Sequence, residues 1–122
     1  MSAAVDASVV IAWQNSTHQF HQQAVAMLTQ TAPPLWMSEL NLAEVLVGLD
    51  QAQWDVFVTA LVEVGFQFCS PSARQLARAR VITGLRLPDA CVLATASAQG
   101  VNQVLTFDQR LLQAAAQVGL TP

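Results

Sequence analysis

Short apolar runs alternate with longer amphipathic stretches along the 122-residue chain. Residues 3–5 read as a strand, and Ser8 to Gln14 as the start of a helix. His18 to Gln30 carries Phe20, Val25 and Leu28 among its apolar positions and reads as a helix, ended by Pro33-Pro34. "LWM" at 35–37 is a second short strand, and Ser38 is a good cap for a strongly apolar helix over 39–49. Asp50 suits the cap of another helix over 51–64, which Gly65 ends. "FQF" at 66–68 is a third strand. Residues 70–84 are helical, with Pro71 near the first turn and Gly84 at the end. A helix over 88–100, a strand over 103–107 ("QVLTF") and a last helix over 108–119 complete the pattern.

This alternation predicts an α/β fold with a short, mainly parallel sheet and helices on both faces, a three-layer arrangement. The length suits a single domain over 1–122. No repeat, low-complexity tract or linker interrupts it. In sheets of this kind, ligands bind just beyond the carboxyl ends of the strands.

Composition sharpens the picture. Hydrophobic residues make up 53% of the chain and charged residues 11%, which points to a large core and leaves room for an apolar partner surface. No apolar run approaches the ~20 residues that span a bilayer. The start, "MSAAVDASVV", lacks the basic region of a signal peptide. A cytoplasmic protein is expected, with Cys69 and Cys91 as reduced core residues. Trp13, Trp36 and Trp54 read as core or partner-groove residues. The net charge of −3 argues against nonspecific nucleic-acid binding.

All five basic residues are arginines, and lysine is absent. Phosphoacceptor domains of the response-regulator or haloacid-dehalogenase type gather acids at strand ends but hold the phosphoryl group with a lysine, so they are disfavoured. The five glycines are isolated, which excludes a glycine-rich dinucleotide turn. His18 and His21 stand three apart, but no third ligand accompanies them.

The acids divide into two groups. Glu39, Asp50, Asp55 and Glu63 suit helix ends and solvated faces. Asp6, Glu44, Asp89 and Asp108 each stand alone in one of the most apolar stretches of the chain. A buried, unpaired carboxylate is costly unless it is paired or binds a metal. Asp6, Asp89 and Asp108 each have a plain alternative as helix caps. Glu44 has none: it falls mid-helix with Leu40, Val47 and Gly48 on its own face, in a helix that reads as apolar all round. The topology brings Asp6, Asp89 and Asp108 towards the carboxyl edge of the sheet, where Glu44 can join them. Converging carboxylates repel, and Mg²⁺ or Mn²⁺ suits such an oxygen-donor set.

In order and context these stretches resemble the PIN-domain nucleases, and especially VapC-type toxins of toxin–antitoxin pairs. The carriers are "VDASVVIAW", "SELNLAEVLVGL", "LRLPDACVLATASAQG" and "VLTFDQRLLQAAAQVG", which together cover essentially the whole chain. The resemblance implies a metal-dependent endoribonuclease that cuts structured or messenger RNA by in-line attack of an activated water, leaving a 5′-phosphate and a 3′-hydroxyl. It implies Asp6, Glu44, Asp89 and Asp108 as catalytic acids holding one or two Mg²⁺ or Mn²⁺ ions, with Ser8 and Thr106 in support. Arg86 and Arg110, beside two of the acids, are candidate phosphate contacts. A small antitoxin and a homodimer are the implied protein partners, and part of the apolar excess over 35–64 suits the antitoxin groove. "TFDQR" offers only Asp108 where many members carry a further acid, so the ion count stays open. The final edge strand is expected to be short or absent after Gly119. Two other functions remain open: a housekeeping RNA-processing nuclease of the same fold, and a non-catalytic protein-binding domain.

Overall fold

The computed structural model describes residues 2–122. The elements run β1 (Ala3–Val5), α1 (Ala7–Gln14), α2 (His21–Gln30), β2 (Leu35–Ser38), α3 (Glu39–Leu46), a single 3₁₀ turn (Gln51–Gln53), α4 (Trp54–Val64), β3 (Phe66–Cys69), α5 (Ala73–Thr83), α6 (Leu87–Gln99), β4 (Val104–Leu105) and α7 (Gln109–Gln117). The four strands form one sheet in the order β3-β2-β1-β4, and every pairing is parallel. The expected α/β class is therefore met, with a sheet that is wholly rather than mainly parallel.

The side-chain alternation of a strand splits the interior into two cores. Ala3 and Val5 of β1, with Leu35, Met37, Phe66 and Leu105, face a cluster completed by α1, α2, α3 and α4. Ala4 and Val104 face the other way, against Ala90, Leu93 and Ala96 of α6 and Leu111 and Ala115 of α7. Helices thus cover both faces. No single helix among the described residues is long and apolar enough to cross a membrane.

Local chemistry sets the element ends. The Ser38 side chain accepts from the Asn41 amide and starts α3, as its sequence context suggests. Asp50 likewise accepts from Ala52, but it opens the 3₁₀ turn before α4. Ser72 and Gln75 form a reciprocal capping box, so the fifth helix begins at Ala73 rather than near Pro71. At Gly65 the chain turns from α4 into β3 at a φ of +117°, and a Cβ there would stand 2.9 Å from Cβ of Pro33. Only glycine fits that backbone. The Gly65 carbonyl accepts from the Leu35 amide at 2.9 Å, which sets β2 beside β3.

The helix expected from His18 begins at His21, because residues 15–20 form a hydrogen-bonded turn. The strand expected over 103–107 is only Val104–Leu105, because Thr106 leaves the ladder to bond elsewhere. The expected shortness of the last edge strand takes a definite form: Thr121 makes one parallel bridge to Gln103, beside β4.

Candidate metal centre at the carboxyl edge of the sheet

Asp6 directly follows β1, at the position that caps α1, yet its side chain makes no capping hydrogen bond. The plain cap alternative therefore fails for this residue. Its Oδ2 instead accepts two hydroxyl protons, from Ser8 Oγ and from Thr106 Oγ1, each at 2.7 Å. Each hydroxyl is in turn an acceptor: Ser8 Oγ takes the Phe107 amide proton at 3.2 Å, and Thr106 Oγ1 takes that of Asp108 at 3.0 Å. A hydroxyl has one proton to give. Both are spent on Asp6, so the 3.4 Å contact between Ser8 and Thr106 is a proximity rather than a further bond. Asp6 is 6% exposed and Thr106 2%, so this network lies where hydrogen bonds are strong and costly to leave unmade.

Asp108 does act as a cap. Its Oδ1 accepts from the amides of Arg110 at 2.9 Å and Leu111 at 3.3 Å, starting α7. Its charge still reaches the other acids. Asp89 lies in the first turn of α6, whose cap position is Arg86, and it is half-buried. Burial pushes the Asp89 carboxyl above its ordinary range, and the negative charges of Asp108 and then Asp6 push it further. Arg86 and Arg110, both exposed, draw it part of the way back through space. Asp6, Asp89 and Asp108 thus share one electrostatic environment.

Glu44 departs from its expected setting. Rather than lying in a helix apolar all round, it is exposed, and Leu40, Val47 and Gly48 on its face are exposed too. The physical reason is that no element covers this side of α3, so an apolar sequence does not make an apolar environment. What fixes Glu44 is Asn41, a residue that reading the acids alone passes over. Asn41 is 1% exposed, and its Nδ2 donates to Glu44 Oε1 at 2.8 Å and to the Pro88 carbonyl at 3.0 Å. Its Oδ1 accepts from Ser38 Oγ at 2.7 Å. One amide therefore ties the end of β2, the face of α3 and the first turn of α6, next to Asp89. The available signal was a lone asparagine three residues before the glutamate, on the same helix face.

The other candidates resolve simply. His21 Nδ1 lies 2.9 Å from the Ala12 carbonyl oxygen, and His18 Nδ1 accepts from the Phe20 amide at 3.0 Å, so both rings serve the turn. Trp13 packs on the core against Phe57, and Trp54 Nε1 donates to the Leu46 carbonyl at 2.8 Å. Cys69 and Cys91 are unbonded to each other, and burial raises both thiols. In the 35–64 region Val47 and Val56 are largely exposed, while Leu35, Met37, Leu42, Val45 and Leu61 are core.

The donor set consists of carboxylate and hydroxyl oxygens without thiolate or imidazole, the chemistry of a hard divalent cation. Among the described residues, no three acid, histidine or cysteine side chains are grouped closely enough to enclose an ion. Magnesium does not require that: it keeps several waters and is held by one or two carboxylates together with substrate phosphates. Burial first, and then the like charges of Asp108 and Asp6, raise Asp89, and such a cation would offset the like charges. On donor chemistry and charge, the residues fit the ion.

Comparisons with known proteins bear on the family and the fold. The PIN domain family pattern matches residues 3–117. The fold is similar to that of VapC20 from Mycobacterium tuberculosis, a toxin that cleaves the sarcin–ricin loop, at 19% identity, with a TM-score of 0.73 and all of both chains covered. It is also similar to a chain of a toxin–antitoxin complex from Klebsiella pneumoniae, at 22% identity and a TM-score of 0.74, covering 90% of this chain and 89% of that one. No match is found among curated protein sequences.

Proposed function

The chain belongs to the PIN domain family, and from that premise we propose that it is a metal-dependent endoribonuclease and the toxin of a VapBC-type pair. The observation that carries the reading is Asp6: a buried carboxylate at a strand end, doing no capping, gripped on one oxygen by two hydroxyls from opposite ends of the chain. Capping of α1 gives no reason for that arrangement. A carboxylate that must present its other oxygen in a fixed direction does.

In this reading Asp6, Glu44, Asp89 and Asp108 supply the carboxylates that bind Mg²⁺ or Mn²⁺, one or two of them directly and the others through the ion's waters. A divalent cation bound there polarises the phosphodiester and offsets the charge of the acids. Ser8 and Thr106 orient Asp6, as partners behind a ligand usually do. Asn41 fixes the rotamer of Glu44 and keeps it in register with the start of α6. Arg86 and Arg110, exposed beside Asp89 and Asp108, meet the phosphates of the substrate and make up locally for a net charge of −3. The likeness to a toxin that cleaves the sarcin–ricin loop and to a chain of a toxin–antitoxin complex supports an RNA substrate and an antitoxin partner; a cytoplasmic setting belongs to the reading itself. The exposed Val47 and Val56 offer apolar surface for that partner or for a second copy of the chain.

The test is cleavage of cellular RNA by purified protein. Cutting is expected with Mn²⁺ or Mg²⁺, none with EDTA, and none by Asp6→Asn, whose fold should be intact by circular dichroism. Undiminished cleavage by that variant would overturn the metal assignment. Expression should arrest growth, and Asp89→Ala should relieve the arrest; arrest that persists would count against the toxin reading.

A further inference from the structure

Beside the carboxylates the surface opens into a hollow of about 420 Å³, lined by Ser8, Ile11, His18, Phe20, Phe107 and Asp108 among others. Its ends are continuous with the acid cluster through Ser8 and Asp108. Its wall is aromatic. Phe20 and Phe107 stack with centroids 4.9 Å apart and planes 27° from parallel, and the His18 ring tilts against Phe20 at 5.9 Å. Phe20 joins neither core cluster and is 37% exposed. A lone exposed apolar side chain needs no account. A stacked pair that shares a wall with the carboxylates does.

Both rings are held in place before any ligand arrives. Asn15 Oδ1 accepts from the Thr17 amide at 3.1 Å and from its hydroxyl at 2.8 Å, and the Asn15 carbonyl accepts from His18 at 3.0 Å. The Phe20 amide donates to Nδ1 of His18 at 3.0 Å, which in the neutral ring leaves the proton on Nε2 as a donor. Phe107 is tied from the other side by the hydrogen bond its backbone amide donates to Ser8 Oγ, the hydroxyl that also grips Asp6. A preorganised surface of this kind loses little freedom on binding.

We infer that this hollow is a nucleobase subsite, in which one unstacked base of single-stranded RNA lies against the Phe20–Phe107 pair while its own phosphate meets the carboxylates. Phe107 stands between Thr106 and Asp108, so a ring stacked on it is one residue from the groups that orient Asp6. Aromatic stacking suits a base because every base has a π-face, and single-stranded RNA is the form in which bases are free to offer one. The inference rests on the nuclease reading and adds to it where the neighbouring base is held.

The test is a binding titration that consumes no RNA. An Asp89→Asn protein with Mg²⁺ is titrated into short single-stranded RNAs that carry 2-aminopurine at each position in turn. Stacking should quench the fluorophore at one position. Adding Phe20→Ala should abolish that quenching and weaken binding about tenfold or more, whereas Phe20→Trp should retain both and so show that the turn still folds. The exposed Val81→Ala serves as a neutral control. Absence of quenching at every position, or quenching unchanged by Phe20→Ala, overturns the subsite. If the unsubstituted protein cuts no RNA while quenching persists, the nuclease reading falls and the subsite stands. If Phe20→Ala cuts RNA with an unchanged KM, the subsite falls and the nuclease reading stands.

Discussion

The Thr106 hydroxyl meets Asp6 Oδ2 at 2.7 Å across 100 residues of chain, and the same oxygen of Thr106 takes the amide proton of Asp108. Thr106→Val keeps the shape and removes both bonds. It should lower RNA cleavage roughly 10–100-fold, the usual cost of losing a group that orients a metal ligand. It should also destabilise the fold by about 1–3 kcal/mol, because buried Asp6 loses a donor and the half-buried Asp108 amide loses its acceptor. Cleavage rates at saturating Mg²⁺ and urea denaturation check the two effects separately.

Asn41 offers a test of coupling. Asn41→Ala removes the side-chain donor to the Pro88 carbonyl and the acceptor of the Ser38 hydroxyl proton, and it releases Glu44. A loss of about 1–3 kcal/mol in stability is expected. In a double-mutant cycle with Glu44→Gln, the effects on cleavage should be clearly less than additive, since both changes undo one arrangement. Additive effects would mean that Asn41 acts on stability alone.

Asp89 should be a site where function and stability oppose each other. Its folded carboxyl lies above the ordinary range, first through burial and then through Asp108 and Asp6. The folded state therefore holds that proton more readily than the unfolded chain does. The group's contribution is best below the unfolded pKa and is lost as pH rises through the folded one. In EDTA at neutral pH, Asp89→Asn should raise the melting temperature, and the gain should vanish as pH falls below the carboxylate range. Added Mg²⁺ should stabilise the unsubstituted protein more than the variant. Thermal melts at several pH values with and without metal decide this.

Gly65→Ala should be destabilising without touching the site. The φ of +117° and the 2.9 Å approach of a Cβ to Pro33 give strain of about 1–3 kcal/mol. Cleavage per folded molecule should be unchanged, as measured below the melting transition.

Much of this was legible in the chain. The alternation of strands and helices gave the parallel sheet, and Ser38 and Asp50 announced their own caps. The places of Asp6 after β1, Asp89 in the first turn of α6 and Asp108 at the start of α7 followed from topology, because each is tied to a strand end or a helix start. Two features lay beyond local pattern. Periodicity shows which side of a helix is apolar but not whether anything packs on it, so Glu44 looked enclosed when it is exposed. Phe20 and Phe107 come from distant parts of the chain, and no spacing rule pairs them. Asn41 falls between these cases: its position was visible, but its partner Pro88 was not.

The two hydroxyls that grip Asp6 have a consequence for the protein's birth. Residue 6 leaves the ribosome early and residue 106 late, and the acid has only half its grip until the second arrives. A growing chain, or a fragment cut anywhere between, therefore carries the first carboxylate without the geometry to use it. On the proposed reading such a chain should not cut RNA, and two complementary fragments should regain activity only on reassembly.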